Sequence, residues 1–291
     1  MTKNQQLIGI YCTVCEIYNT TLAASAQRLS NNFCPKFTDE ECMAIYLFGI
    51  AQQKYNVKAV YKYIKEEYGE WFPSLPNYQN FNRRICYLSE AFGMLAERLH
   101  QKDEGIELSG ILCLLDSLPI IVANNRRSGF AKAASDICDK SYCASKGMYY
   151  YGVKLHYMGV ASHRTLPKNM LMSWVTSASV NDLSAAKDQL RNVRDIEVFL
   201  DKAYCDAKWK EEMLQHNNVR IITPVKLKKG QKEHDPYIKL YNKAVSSVRQ
   251  PIEAFFKWLI DKTRIQSANY IRSSAGLFAF IFARLAFVAL I

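Results

Sequence analysis

The run Gly110-Ile-Leu-Cys-Leu-Leu-Asp-Ser-Leu-Pro-Ile-Ile-Val122 constrains this chain more than any other feature, because it is apolar almost throughout yet holds one carboxylate, Asp116. A continuous apolar run of this kind predicts a strand buried on both faces. An isolated ionised carboxylate in such a strand is costly to desolvate unless a partner or a metal ion compensates it. Asp116 is therefore a candidate functional group. The competing reading is a structural aspartate at the strand end, bonded to backbone N–H groups.

The sequence after this run alternates between strand and helix patterns. Tyr149–Val160 and Met170–Ser177 are strand candidates, with Gly159–Asn169 as a hairpin loop between them. Asn181-Asp182 opens a helix to about Asn192, and Ile196-Glu-Val-Phe-Leu200 is a strand ending at Asp201. Asp206–His216 is a helix, Val219–Val225 a fifth strand, and helices complete the chain. This order predicts an α/β fold, a mixed five-stranded sheet flanked by helices.

The first hundred residues have a different period. Cys42, Ile45, Tyr46 and Gly49 recur at helical spacing, as do Val57, Val60, Tyr61 and Ile64. Thr38-Asp-Glu-Glu41 is a capping box. Pro73 and Pro76 break the pattern, and a further helix runs from about Tyr78 to His100. Polar Gln101-Lys-Asp-Glu-Gly105 then marks a boundary, giving an all-helical N-terminal domain over 1–105 and a second domain over 106–291.

With 291 residues and 49% hydrophobic composition, the chain can bury a sizeable core. Its net charge of +11 favours a polyanionic partner. Nine scattered cysteines fit reduced thiols, and Cys12-Thr-Val-Cys15 fits two half-buried residues on a helix better than half of a zinc site. The opening MTKNQQLIGIYC has no basic segment followed by a long apolar stretch, so no signal peptide is expected. Ala275–Ile291 is short for a membrane span and is interrupted by Arg284, which predicts a buried terminal helix and no membrane association.

Two further carboxylates join Asp116. Asp201 falls at the C-terminal end of a strand, where ligands of open α/β sheets collect. Glu253 lies in Val248-Arg-Gln-Pro-Ile-Glu-Ala-Phe-Phe-Lys-Trp-Leu259, one helical turn after Arg249, a spacing that also fits an intrahelical ion pair. Pro251 fits either a first-turn proline or a kink. Chemistry at a phosphodiester asks for two divalent cations about 4 Å apart, held by oxygen ligands. Three carboxylates on a strand, an adjacent strand end and a facing helix can hold such a pair.

At these residues the sequence resembles the DDE transposases of bacterial insertion sequences. The likeness is carried by Leu115-Asp-Ser-Leu-Pro119, Tyr151-Gly-Val-Lys-Leu-His156, Leu200-Asp-Lys-Ala-Tyr204 and Arg249-Gln-Pro-Ile-Glu-Ala-Phe-Phe-Lys-Trp-Leu259, and more weakly by Phe37-Thr-Asp-Glu-Glu41 and Phe72-Pro-Ser-Leu-Pro76. It implies a ribonuclease H-like catalytic domain with Asp116, Asp201 and Glu253 as the acidic triad on two Mg2+ or Mn2+ ions. It also implies cleavage at insertion-sequence ends and strand transfer by a 3′-hydroxyl into target DNA. Terminal repeats and target DNA would be the partners, the protein probing them as a homodimer in the bacterial cytoplasm, at the nucleoid. The sequence departs from the family at Ser246, where many relatives have tyrosine, and at Ile260, which takes the place of a lysine and is flanked by Lys257 and Lys262.

Several cations are expected to meet DNA. Lys154 and His156 lie two apart on a strand and so share a face. With Arg249, Lys202 and the loop lysines Lys226, Lys228 and Lys229 they could line a phosphate-binding edge. Lys54, Lys58, Lys62, Arg83 and Arg84 point to a helical module that either binds DNA or dimerises. The alternatives to a transposase are a nuclease of the same fold and an inactive DNA-binding relative.

Overall fold

A computed structural model describes residues 1–27, 35–100, 111–161, 165–227, 230–231 and 233–291, apart from the side chain of Ser145. The expected boundary Gln101–Gly105 and the expected contact residues Lys228 and Lys229 lie outside the described residues.

The N-terminal part is helical: α1 (Lys3–Ile17), α2 (Asp39–Ala51), α3 (Val57–Glu67), α4 (Tyr78–Tyr87) and α5 (Ser89–His100). The capping box forms, with Thr38 Oγ1 accepting from Glu41 N at 3.2 Å and Glu41 Oε2 accepting from Thr38 N at 2.7 Å. Gly49 is required where α3 crosses α2, because a Cβ there would stand 2.4 Å from Val60 Cγ2. The single helix expected over Tyr78–His100 is broken at Leu88 into α4 and α5. Cys12 is exposed and Cys15 half-buried on α1, and both are free thiols.

The α/β part contains β1 (Ile111–Asn124), β2 (Asp139–Cys143), β3 (Met148–Val160), β4 (Met170–Ser177), α6 (Asp182–Gln189), β5 (Ile196–Phe199), α7 (Ala207–Asn217), β6 (Arg220–Ile222), α8 (Pro236–Thr263) and α9 (Ser274–Ala289). β1 pairs antiparallel with β3 and parallel with β5, and β5 pairs parallel with β6. This is the mixed sheet of a ribonuclease H-like domain, with one strand more than expected. The addition is β2, which pairs with Met148–Gly152 while β4 pairs with the remainder of β3 along the same edge. Its sequence, Asp-Lys-Ser-Tyr-Cys, is short and polar, so no apolar run announces it.

The sheet is covered on both faces. Cys113 and Leu115 of β1 pack with Ile196, Val198, Trp209 and Met213 on the α6–α7 side. Leu114, Leu118 and Ile120, at the alternate positions, pack with Ile252, Phe255 and Leu259 of α8.

The C-terminal helix is buried, as its composition predicts, and no described helix is long and apolar enough to cross a membrane. It packs against α2, α4 and α5, so the last helix of the chain closes the N-terminal helical layer rather than the sheet. Arg284 fixes this arrangement. It is fully buried and donates to the carbonyls of Thr263 at 2.9 Å, Phe280 at 2.9 Å and Tyr55 at 2.7 Å.

Candidate active site

The position of the two aspartates follows from strand register. Leu114 of β1 stands opposite Phe199 of β5 at the last paired position. Asp116 and Asp201 each lie two residues further on, so they stand level on neighbouring parallel segments and face the same side. Beyond Leu114 the two strands part. The freed edge of β1 is next met at Ile121, whose N–H donates to the Gln266 carbonyl at 2.8 Å and whose carbonyl accepts from Ala268 N at 2.9 Å. Asp116 sits within β1 in the interval between these partners, beside Asp201, which lies just past the C-terminal end of β5, where α/β sheets bind ligands.

α8 delivers a cation into this interval. Val245, Arg249, Ile252, Phe256 and Leu259 recur at helical spacing and form its buried stripe. Arg249 Nη2 donates to Asp116 Oδ2 at 3.4 Å, and Nη1 lies 3.5 Å from Asp201 Oδ1. One guanidinium therefore bridges both carboxylates. Its Nε is buried without a hydrogen-bond partner among the described residues. Arg249 was expected to meet phosphate, and no residue reading anticipated its contact with the aspartates. The available signal was a charged residue on an otherwise apolar helical stripe.

Asp116 also accepts from Ser117 N at 2.8 Å through Oδ1. Burial pushes its carboxyl up to about 6, against the opposing pull of Arg249 and the Ser117 N–H, while Asp201 and Asp182 add to the rise. Half of the site is thus poorly solvated, and the other carboxylate, Asp201, is more open. Paired acceptor-only oxygens of this kind suit a hard divalent cation, and the guanidinium stands where positive charge is needed. Asp116 and Asp201 fit that role.

Glu253 is placed differently. It is exposed on α8, one turn after Arg249, and makes neither the ion pair with Arg249 that its spacing allowed nor any other among the described residues. No three carboxylate, imidazole or thiol side chains among the described residues are gathered to hold a metal ion. The structure brings Asp116 and Asp201 together and leaves Glu253 outside the pair. Pro251 lies inside α8 between Arg249 and Glu253, well beyond the first turn, where Pro236 occupies the start.

The cations expected to line one edge are divided between the faces of the sheet. His156 pairs with Ser117 and Lys154 with Pro119, so both project to the side opposite Asp116 and Arg249. His156 is fully buried, stacks on Trp174 with ring centroids 5.0 Å apart, and shares a hydrogen bond with Thr176 Oγ1 at 2.9 Å. Burial lowers it to about 4, which favours the neutral ring at pH 7. Lys154 donates to Asp182 Oδ1 at 2.9 Å and to the Val180 carbonyl at 2.8 Å, tying β3 to the start of α6. Lys202, beside Asp201, and Lys226 are exposed. In the helical part Lys58, Lys62 and Arg83 are exposed, and Lys54 lies over the Tyr63 ring. Arg84 instead donates from Nε to Asp39 Oδ1 at 2.6 Å and from Nη2 to the Ala26 carbonyl at 2.7 Å, which makes it an internal tie.

Comparison with curated proteins and with solved structures gives no match. Residues 111–290 match the family model described as the transposase DDE domain. That span covers most of the chain and contains Asp116, Asp201, Arg249 and Glu253. By this match, the chain belongs to the DDE transposase family.

Proposed function

We propose that the protein is a DNA transposase that cuts a phosphodiester at the ends of an insertion sequence and joins the exposed 3′-hydroxyl to target DNA. One observation carries the reading: two aspartates, level on adjacent parallel segments, share a buried guanidinium. Asp116 and Asp201 would hold Mg2+ or Mn2+, with Glu253 as the third carboxylate of the set. Bound there, two such ions supply an activated oxygen nucleophile and stabilise the leaving oxygen.

The chain's own side chains then bind and orient. Asp116 is held by the Ser117 N–H, which fixes which oxygen faces the site. Lys202 and Lys226, both exposed, would meet phosphates and steer DNA without reading its sequence. The exposed Lys58, Lys62 and Arg83 extend this charge to the helical part, whose role is to hold terminal repeats or to dimerise. In this reading the protein acts on DNA in the bacterial cytoplasm, at the nucleoid.

The test is to incubate the full chain with the DNA flanking its own gene and Mg2+ or Mn2+, and to map the ends. Metal-dependent cuts at the element boundary and joined products from a 3′-hydroxyl donor are expected. Cuts without joining would make it a nuclease, and intact DNA with both metals would overturn the reading.

A further inference from the structure

We propose that Arg249 is the resident counter-cation of the Asp116–Asp201 pair, holding the carboxylates together in the metal-free protein and yielding its place to a divalent cation. The inference rests on the reading of these aspartates as metal ligands, and adds that the protein itself supplies a competitor for the metal.

The arginines of this chain show why Arg249 is not a permanent structural tie. Arg284 donates to three backbone carbonyls at 2.7 to 2.9 Å. Arg84 meets Asp39 and the Ala26 carbonyl at 2.6 and 2.7 Å. Arg249 is as buried as a structural arginine, yet among the described residues it makes a single hydrogen bond, at 3.4 Å, with its second carboxylate at 3.5 Å and Nε unpaired. Charge-assisted hydrogen bonds usually run about 2.7–2.9 Å. Charge neutralisation, rather than hydrogen-bond geometry, is what places the guanidinium here.

Position points the same way. Arg249 touches both aspartates, and a cation shared by them must enter the same space. α8 turns Arg249 toward the pair and leaves Glu253 exposed one turn away. With Arg249 in place the site offers two carboxylates and one opposing positive charge, which weakens its attraction for a further cation. Without Arg249 two neighbouring carboxylates repel, so the metal-free site is strained and the loaded site is favoured.

The experiment is calorimetric titration of Mn2+ into the metal-free full chain, without DNA, for the natural protein, Arg249→Met and Arg249→Lys, alongside thermal melting. Arg249→Met is expected to bind Mn2+ about tenfold more tightly and to melt lower without metal, with Mn2+ restoring the difference. Arg249→Lys keeps the charge and is expected to stay near the natural affinity, while Arg249→Gln, neutral but able to hydrogen-bond, is expected to tighten like Arg249→Met and replaces it if Arg249→Met folds poorly. Unchanged or weaker Mn2+ binding in folded Arg249→Met, or tightening in Arg249→Lys equal to that in Arg249→Met, overturns the proposal. An Asp116→Asn control separates the two readings. If it abolishes cleavage while Arg249→Met shows no tightening, the transposase reading stands and the counter-cation role falls. If no variant binds Mn2+, both fall.

Discussion

Asp116 and Asp201 are far apart in the chain, yet each lies two residues past the last parallel pair of β1 and β5, Leu114 and Phe199, and one guanidinium meets both. Replacing either by Ala is expected to reduce strand cleavage on the order of 10³-fold or more while DNA binding persists, because affinity rests on dispersed cations. The double variant should be little worse than either single one. Cleavage of end-labelled DNA and gel-shift titration check this, and equal loss of binding and cleavage would sink it.

Metal removal follows from the same site. Chelation by EDTA should stop cleavage and leave the fold intact, because Arg249 still compensates the aspartates. Circular dichroism before and after chelation is the check. Unfolding on chelation would show a structural metal instead.

Gly152 carries the register that aligns β1. A Cβ there would stand 2.0 Å from the Ile120 carbonyl oxygen, next to the irregularity at Ile121/Ala123. Backbone has to move to relieve such a contact. Gly152→Ala should therefore cost about 2 kcal/mol or more in urea unfolding, a size typical of overpacking. A loss below about 0.5 kcal/mol would contradict the packing described.

Arg284 anchors α9 to the N-terminal helices through the Tyr55 carbonyl. Arg284→Ala leaves buried carbonyls without donors and removes a large side chain, so a loss of about 2–4 kcal/mol is expected. Because α9 packs against α2, α4 and α5, a fragment ending at residue 105 should also fail to unfold cooperatively. A sharp two-state melt of that fragment would count against this packing.

His100 joins α5 to the last strand of the antiparallel set and to α9. Its Nδ1 accepts from Met170 N at 3.3 Å and its Nε2 meets the Leu285 carbonyl at 3.3 Å. Burial lowers it to about 4, with the Leu285 carbonyl opposing. A histidine depressed in the folded state takes up its proton first in the unfolded chain. Stability is therefore intact above about pH 6.5 and is lost as pH falls from there toward 4, by at most about 1.4 kcal/mol per pH unit for one proton. Urea midpoints across this window should show a shallower slope for His100→Gln. Identical slopes would remove His100 as the cause.

Local sequence was enough for much of this protein. The Thr38–Glu41 cap needs only residues three apart, and the apolar run around Asp116 declares a doubly covered strand wherever it lies. The order of the other strands and of the helices after β4, though not β2, and Asp201 just past a strand end, are likewise written in short stretches with clear periods. Tertiary structure decided the rest. Lys154 and His156 share a face by their spacing, but only pairing with Pro119 and Ser117 puts that face away from Asp116. The roles of Arg249 and Glu253 depended on the rotation of α8 over the sheet, which burial of Val245 and Ile252 sets. The partner of α9 lay at the other end of the chain, and an apolar helix fits any apolar layer equally well by composition. Periodicity acts through near neighbours, whereas register, helix rotation and docking are chosen by which buried surfaces fit together.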